Sequence, residues 1–292
     1  MEFLQRNRDI THLSNFNTPA QTSYFLHVVS MEQSGQIFQF VEYMKEKSLP
    51  YIIVTGGTNS LFAFENYPGW VIYIDIQWWI YDWCTKILTC SAGDKIWDIA
   101  QTLETQYGQN LWHRFIGLPG SIAGAIYGNA GCFWLETESN FLDVDIVDLE
   151  TWQKYTFSKS DMNFSYRNSR LKVEKKYCIL SARFDLSEKR EKYSSDVDNI
   201  KFREEIQPKW NSCGSFFKNP SKEQSAGFMI EQVWLKWYQL GWAYFSEKHA
   251  NFLMHNGQWT YQDLLSLIEL AQKKVQEKFW IVLEPEVQII YP

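Results

Sequence analysis

The sequence lacks a long apolar run, a run of basic residues and a CxxC pair. No stretch approaches 18 uninterrupted apolar residues, and the start, MEFLQRNRDITHL, lacks the apolar core of a signal peptide, so we expect a cytoplasmic protein. The formal net charge of −6 without a basic run argues against nucleic acid or an anionic membrane as a partner. The five cysteines and five histidines show no metal-ligand spacing, which predicts reduced thiols and no bound metal.

The residues that are present are typical of a soluble globular protein, with 45% apolar and 21% charged residues. A chain of 292 residues is long enough for two or three domains. Apolar periodicity predicts helices near 37–47, 94–106, 225–233 and 261–279, and strands near 51–54, 71–74, 86–92, 142–149, 177–185 and 287–291. We therefore predict an α+β protein, in which the charged stretch 187–205 is a domain junction or an exposed helix.

Two glycine-rich segments could bind phosphate through backbone N–H groups, because glycine tolerates positive φ and allows close approach to the backbone. The first is Thr55-Gly-Gly-Thr-Asn59, and the second, residues 117–131, contains five glycines in fifteen residues. Neither segment is a P-loop or a GxGxxG fingerprint. Together they suit a pyrophosphate. The alternatives are a plain hairpin turn for the first segment and a tight strand–helix crossing for the second.

Three short polar motifs could carry chemistry. In GSFFKNP, Ser215 at a bend beside Lys218 and Asn219 could be an acid or bind an anion, or the motif could be a plain turn. In YRNS, Arg167 could hold a carboxylate through two hydrogen bonds, or form a surface ion pair. In LEPEV, Glu284 and Glu286 would share one strand face, where one of them could be a buried acid, or the pair could lie on a solvated strand edge.

The order of the motifs resembles the UDP-N-acetylenolpyruvoylglucosamine reductase (MurB) family. The motifs are GGTN, LPGSIAGAIYGNAG, SYRNS, GSFFKNP, SEKHANF and LEPEVQII, and the resemblance covers nearly the whole chain. The spacing between SYRNS and GSFFKNP is similar to that of the shorter subtype, which lacks an extra substrate-covering loop. Thr55 departs from the family pattern, which usually has a further glycine there.

The resemblance implies a fold and two cofactors. The fold would be a two-part FAD-binding domain of the vanillyl-alcohol-oxidase/PCMH type over residues 1–190, with a boundary near residue 70, followed by a smaller α+β substrate-binding domain over residues 191–292. Non-covalent FAD would accept hydride from NADPH and pass it to an enolpyruvyl ether carried by UDP-N-acetylglucosamine, which gives UDP-N-acetylmuramate for peptidoglycan synthesis. The residues expected to contact FAD are Gly56, Gly57, Thr58, Asn59, Gly120, Ser121, Gly124, Asn129 and Gly131.

The resemblance also implies roles for the polar motifs in a monomeric enzyme. Arg167 would polarise the substrate carboxylate with Glu286 assisting beside it, since a fixed cation aimed at developing charge is a large electrostatic contribution. Ser215 would donate a proton to the second carbon, and Lys218 and Asn219 would contact the substrate.

Two other functions are compatible with the residues. One is an FAD-linked oxidase of a sugar or alcohol, which would often tether the flavin through His or Cys and would leave GSFFKNP unexplained. The other is a flavin- or UDP-sugar-binding relative without turnover, against which the presence of Arg167, Ser215 and Glu286 argues.

Tryptophan is nearly as abundant as glycine, with 14 residues beside 15, and many of the tryptophans stand where glycine is expected. Trp152 lies between two predicted strands, and Trp234 and Trp280 directly follow predicted helices, three positions that favour left-handed backbone. The family resemblance adds further positions, which are Trp134, Trp210, Trp237 and Trp242, and less clearly Trp78, Trp83 and Trp259. We hypothesise that these codons are UGA, read as glycine in the source organism, whereas Trp97 and Trp112 are genuine. The alternative is an unusually tryptophan-rich protein.

Overall fold

The computed structural model describes residues 5–35, 37–46, 48–188, 196–208, 211–221, 223–256 and 261–292. The helices in these ranges are α1 (Met31–Ser34), α2 (Ile37–Glu46), α3 (Ile96–Tyr107), α4 (Ile122–Tyr127), α5 (Arg170–Glu174), α6 (Asp196–Ile206), α7 (Ala226–Gln232) and α8 (Tyr261–Phe279). The strands are β1 (Gln5–Asp9), β2 (Gln21–Val28), β3 (Tyr51–Val54), β4 (Ser60–Phe62), β5 (Asn66–Ile74), β6 (Trp79–Asp82), β7 (Ile87–Ser91), β8 (Gly131–Cys132), β9 (Leu135–Glu136), β10 (Phe141–Asp148), β11 (Lys154–Ser158), β12 (Tyr177–Asp185), β13 (Gln239–Leu240), β14 (Ala243–Phe245), β15 (Leu253–His255) and β16 (Gln288–Ile290). The predicted α+β class is confirmed.

The chain forms two compact units that are not contiguous in sequence. Unit 1 comprises Met1–Gln5, Phe25–Gly56 and Trp70–Lys201, and unit 2 comprises Arg6–Tyr24, Gly57–Gly69 and Phe202–Pro292. The functional assignment of residues 1–190 to FAD and of 191–292 to substrate stays a prediction.

Unit 1 contains a five-stranded antiparallel sheet of order β11-β10-β12-β7-β6. Val144 and Ile146 of β10 are buried on one face, whereas Asp145 between them is exposed, as the alternation of a strand requires. Strand β3 pairs in parallel with β5, from Tyr51 opposite Trp70 onward. The short helix α4 packs against β7 and β12, which places the second glycine-rich segment beside this sheet.

Unit 2 has its core around helix α8. The periodicity of residues 261–279 buries one face of that helix, through Leu264, Leu267, Ile268, Ala271 and Val275. The unit also contains the three-stranded sheet β13-β14-β15 and the parallel pair β16-β4.

Five tryptophans have left-handed backbone, as predicted: Trp134 (φ 67°), Trp152 (65°), Trp234 (62°), Trp237 (64°) and Trp280 (61°). Trp234 follows the C-cap of α7 and Trp280 follows α8, the two helix ends at which glycine is favoured. Phe133 and Trp134 both have positive φ in the two-residue connection of β8 and β9, where a type I′ turn favours Asn-Gly. Trp134, Trp234 and Trp280 are 86–90% exposed, so packing of their indole rings compensates little of the energetic cost of the left-handed backbone.

The prediction is wrong for the backbone of Trp242, Trp78 and Trp83, which do not have positive φ. In the hairpin of β13 and β14, positive φ falls on Gly241 (φ 57°), so the next residue needs no glycine. Trp210 and Trp259 lie outside the described residues. Trp112 is buried, as a genuine core tryptophan should be, and Trp97 lies in the right-handed first turn of α3.

Candidate active site

The Ser121 hydroxyl links the two glycine-rich segments within unit 1. It accepts hydrogen bonds from the backbone N–H groups of Gly56 (3.3 Å) and Gly124 (3.2 Å), and it donates to Thr55 Oγ1 (2.7 Å). A Cβ on Gly56 would lie 3.0 Å from the Ser121 backbone nitrogen, which is closer than most real contacts. Gly120 has a φ of 140°, a conformation that side chains rarely adopt. Gly56 therefore lies beside the segment from Gly120 to Gly124, and the predicted contact of these residues with FAD stays a prediction.

Gly57 and Asn59 belong to unit 2 and serve the packing of that unit. Gly57 has a φ of 64°, and a Cβ there would lie 2.2 Å from the Leu13 carbonyl oxygen, so only glycine fits. Asn59 Nδ2 donates to the Glu286 carbonyl (3.2 Å), and the backbone N–H of Gln288 donates to the Asn59 carbonyl (3.0 Å). Asn59 thus holds the segment that carries Glu286. Half-buried Thr58 lies between Gly57 and Asn59.

Arg167 lies on a tight turn of unit 1. Ser165 and Asn168 exchange two backbone hydrogen bonds, and Arg167 between them has a φ of 55°. This left-handed conformation costs a non-glycine residue energy, and such strain often occurs at functional positions. The guanidinium donates to the Gly131 carbonyl (2.7 Å) and, at 3.5 Å, to the Asn129 carbonyl. Gly131 allows this approach, since a Cβ there would lie 3.3 Å from Arg167 Nη1 and 2.8 Å from a side-chain carbon of Glu136.

Asn129 connects the Arg167 turn with two carboxylates. Its fully buried side-chain amide donates to Glu138 (3.2 Å), to Glu136 (3.4 Å) and to the carbonyl of Ser165 (3.1 Å). Burial, with the hydrogen bond and charge of Glu138, raises the pKa of Glu136, whereas the charge of Arg167 opposes this shift. The side chain of Asn129 therefore supports the arginine turn, and its predicted contact with FAD stays a prediction.

Three short segments of unit 2 run side by side and bring Ser215, Lys218 and Glu286 together. Ser215 bridges Phe252 on one side, and Phe217 bridges Pro285 on the other. The backbone N–H of Glu286 donates to the Phe216 carbonyl (2.7 Å). The central segment, residues 215–218, thus has residues 251–252 on one flank and residues 284–287 on the other.

The side chains of this cluster are half-buried. Ser215, Lys218 and Glu286 are each partly exposed, which keeps them open to a ligand. The Lys218 ammonium pairs with Glu284 (2.5 Å), a glutamate whose side chain is 70% exposed. Exposed Asn219 accepts a hydrogen bond from the backbone N–H of Ala226 (3.0 Å) at the start of α7, and its contact with substrate stays a prediction.

Two groups near these residues were not singled out from the sequence. Glu136 was missed because 31 residues separate it from Arg167 and the two meet only in the folded chain. Asn251 lies in the quoted SEKHANF motif, but no local pattern indicated that its side chain bonds the backbone of Phe217 (2.8 and 3.0 Å).

Two features are absent from the described ranges, a membrane-spanning helix and a metal-binding cluster. No helix there combines the length and hydropathy needed to span a bilayer. The same residues contain no group of three His, Cys, Asp or Glu side chains placed to hold a metal ion.

Comparison with known proteins identifies the relatives of this chain. Residues 207–290 match the family model for the C-terminal domain of UDP-N-acetylenolpyruvoylglucosamine reductase. The curated reductase of that name from Caldicellulosiruptor bescii is 33% identical over 99% of this chain and 91% of its own length. The corresponding protein from Fervidobacterium nodosum is 41% identical over 94% of this chain and 84% of its own length.

A solved structure shows the same fold. The crystal structure of UDP-N-acetylenolpyruvylglucosamine reductase (MurB) from Thermus caldophilus aligns with a TM-score of 0.77 over 99% of this chain and 100% of that chain, at 24% identity. The fold class predicted from the sequence is thereby confirmed. The curated reductases, at 33% and 41% identity over nearly the entire chain, decide the assignment: the chain belongs to the UDP-N-acetylenolpyruvoylglucosamine reductase family.

Proposed function

We propose that this chain reduces UDP-N-acetyl-3-O-(1-carboxyvinyl)glucosamine to UDP-N-acetylmuramate, as an FAD-containing, NADPH-dependent oxidoreductase. The observation that carries the proposal is the placement of Ser215, Lys218 and Glu286 on two neighbouring segments that are hydrogen-bonded to each other, in a chain that belongs to this reductase family. The reaction adds one hydride and one proton across the carbon–carbon double bond of the enolpyruvyl ether.

The residues of unit 1 fit a dinucleotide cofactor. The loop at Gly56 and the segment from Gly120 to Gly124 meet at the Ser121 hydroxyl. They lie so close together that a Cβ on Gly56 would crowd the backbone nitrogen of Ser121. Such backbone exposure suits phosphate oxygens. FAD, when bound, takes hydride from NADPH and supplies it to the substrate. Contacts of Gly57, Thr58, Asn59, Asn129 and Gly131 with FAD are part of this proposal.

Arg167 stabilises the negative charge that develops on the substrate. When hydride reaches the methylene carbon, the electron pair of the double bond moves toward the neighbouring carbon and its carboxylate, which gives an enolate. A guanidinium fixed to the carbonyl of Gly131 and supported by the Asn129 network needs little reorganisation to meet that charge. Glu286 assists at the same carboxylate, since a protonated or hydrogen-bonded glutamate can contact it without adding repulsion.

Ser215 completes the reaction. Its hydroxyl donates a proton to the carbon that bears the carboxylate, which is the second carbon of the double bond and is thereby saturated. The serine oxygen then recovers a proton from solvent. A serine hydroxyl is a weak acid, so its position relative to neighbouring groups decides its efficiency. The ammonium group of Lys218 on the same segment favours anionic oxygen nearby.

The proposal includes the setting of the reaction. The product is a precursor of peptidoglycan, so the protein would act in the cytoplasm, in cell-wall synthesis and hence in growth and division, as a monomer without a nucleic-acid or membrane partner. The net charge of −6 without a basic run supports the last point.

Stopped-flow absorbance tests the function. The purified protein should be yellow, should release FAD on denaturation, and should be bleached by NADPH and recoloured by the enolpyruvyl ether. Ser215→Ala should keep the first half-reaction and slow the second by about 10²–10⁴-fold. A protein that binds FAD but is never reoxidised by the enolpyruvyl ether would refute the proposal.

A further inference from the structure

The motif SEKHANF has no role in the mechanism above, yet its asparagine makes three hydrogen bonds to the segment that carries Ser215. Asn251 is 2% exposed. Its Oδ1 accepts the backbone N–H of Phe217 (3.0 Å), and its Nδ2 donates to the carbonyl of the same residue (2.8 Å). Its own carbonyl accepts the backbone N–H of Phe216 (2.7 Å). One residue thus satisfies three backbone groups directly after Ser215.

The hydrogen bonds from the Asn251 side chain take the place of those that the backbone of a neighbouring strand would make. The side chains of Phe216 and Phe217 are both fully buried, so the backbone groups of this stretch have little access to water. Buried backbone N–H and C=O groups require partners. A side-chain amide carries both a donor group and an acceptor oxygen, which match the C=O and the N–H of the Phe217 backbone.

Asn251 is itself held in place. Its backbone N–H donates to His249 Nδ1 (3.2 Å), and the next residue, Phe252, forms the bridge to Ser215. On the other flank, the Phe216 carbonyl accepts from Glu286 N–H. A shift of residues 216–217 would therefore move Ser215 and the segment of Glu286 together.

We propose that Asn251 is a positioning residue for the reduction: by bonding both backbone groups of Phe217 it fixes the Ser215 hydroxyl where it donates its proton. The inference rests on the proposed function, because it assigns the consequence to the proton-transfer step. Asn251 does not touch the reacting atoms, and it acts through the backbone between itself and Ser215.

Three variants separate positioning from general stability. Asn251→Ala removes both side-chain bonds. Asn251→Asp keeps an acceptor for the Phe217 N–H but faces the Phe217 carbonyl with a second acceptor. Val275→Ala is the matched control, since it removes buried volume from α8 in the same core and leaves the asparagine intact.

The half-reactions give the decisive measurement. Asn251→Ala and Asn251→Asp should leave flavin reduction by NADPH near the wild-type rate and slow reoxidation by the enolpyruvyl ether by about 10–100-fold, the scale of a small misplacement of a catalytic group. Val275→Ala should lower the melting temperature without this split. In a Ser215→Ala background, Asn251→Ala should add little further loss, because both changes act on one step.

Hydrogen exchange at the Phe217 amide adds a readout that is independent of turnover. Protection should fall in Asn251→Ala and persist in Asn251→Asp, which retains the acceptor. Equal slowing of both half-reactions, or full additivity with Ser215→Ala, would overturn the proposal even if the wild-type enzyme is active. A wild type that never reduces the enolpyruvyl ether would instead refute the proposed function, whatever the exchange data show.

Discussion

Replacement of exposed left-handed tryptophans by glycine should stabilise this protein. The test variant carries Trp134→Gly, Trp234→Gly and Trp280→Gly, at φ values of 67°, 62° and 61°. These three side chains are 87%, 86% and 90% exposed, so their removal forfeits almost no burial. Trp152 is left unchanged, because its indole N–H donates to Glu42 (2.7 Å) and glycine would remove this hydrogen bond.

The magnitude follows from two opposing contributions. Left-handed geometry costs an L-residue roughly 1–2 kcal/mol. Glycine loses more conformational entropy on folding, and this offsets ~0.4–1 kcal/mol at each position. The net gain is about 0.8 kcal/mol for each position, or about 2.5 kcal/mol for the three together. For a chain of this size we expect a rise in melting temperature of roughly 5–10 °C.

Thermal unfolding monitored by circular dichroism is the assay, and two controls make it specific. Alanine at the same three positions suffers the same left-handed strain, so the triple alanine variant should gain much less than the glycine variant. Trp97→Gly, in the right-handed first turn of α3, should lower stability by roughly 0.5–1 kcal/mol. Equal gains for alanine and glycine, or a loss for the triple glycine variant, would refute the reasoning.

The same positions test the hypothesis about the genetic code. If these codons are UGA read as glycine, the protein isolated from its source should have a mass lower by one Trp-to-Gly difference at each recoded position. UGG codons at Trp134, Trp234, Trp237 and Trp280 would end the hypothesis. Asn is the residue most tolerant of left-handed backbone after glycine. Among the described residues, however, tryptophan has positive φ at five positions, as many as asparagine.

Four further predictions concern single residues. Gly57→Ala should lower stability by more than ~2 kcal/mol in thermal unfolding, since it adds left-handed strain to a contact of 2.2 Å with a carbonyl; a stability equal to wild type would contradict the packing described for this residue. Arg167→Ala should slow flavin reoxidation by the enolpyruvyl ether by about 10²–10³-fold, with weaker substrate binding and unchanged reduction by NADPH; equal losses in both half-reactions would assign Arg167 a structural role. Glu136→Gln removes a carboxylate that competes with the substrate carboxylate for the Arg167 guanidinium, so it should lower KM for the enolpyruvyl ether, which steady-state kinetics against Glu138→Gln can check; identical behaviour of the two variants would argue against a specific role for Glu136. Burial lowers the pKa of His249 below its ordinary value of 6.5, so the unfolded chain binds a proton first and the free energy of unfolding should fall as pH drops below 6.5; urea titrations should show a flatter pH dependence for His249→Gln, and an unchanged slope would exclude this group.

The sequence determined most of the secondary structure, because local periodicity decides it. The burial of Leu264, Leu267, Ile268, Ala271 and Val275 follows directly from their helical spacing, and the helix they form runs to Phe279. The left-handed backbone of Trp234 and Trp280 was predictable for the same reason, since both follow the end of a helix. The motifs in their order also sufficed to indicate the family, which the relatives confirm.

Local pattern did not suffice where a hairpin's geometry was decided by its pairing. Trp242 was predicted to need glycine, but the register of β13 with β14 assigns positive φ to Gly241 instead. The sequence of a two-residue connection between short strands does not specify by itself which of its two residues has positive φ, because the pairing of the strands and the turn type decide it together.

Contacts between distant segments were decided only by the tertiary structure. The pairing of Asn251 with Phe217 spans 34 residues, and the bond from Asn59 to the Glu286 carbonyl spans 227. No periodicity links such residues, because they meet only when helices and strands pack around a shared core. The resemblance of its motif suggested the role proposed for Ser215, whereas the amide of Asn251 that bonds the Phe217 backbone became visible only in the folded chain, since a hydrogen bond depends on distance in space and not on distance in sequence.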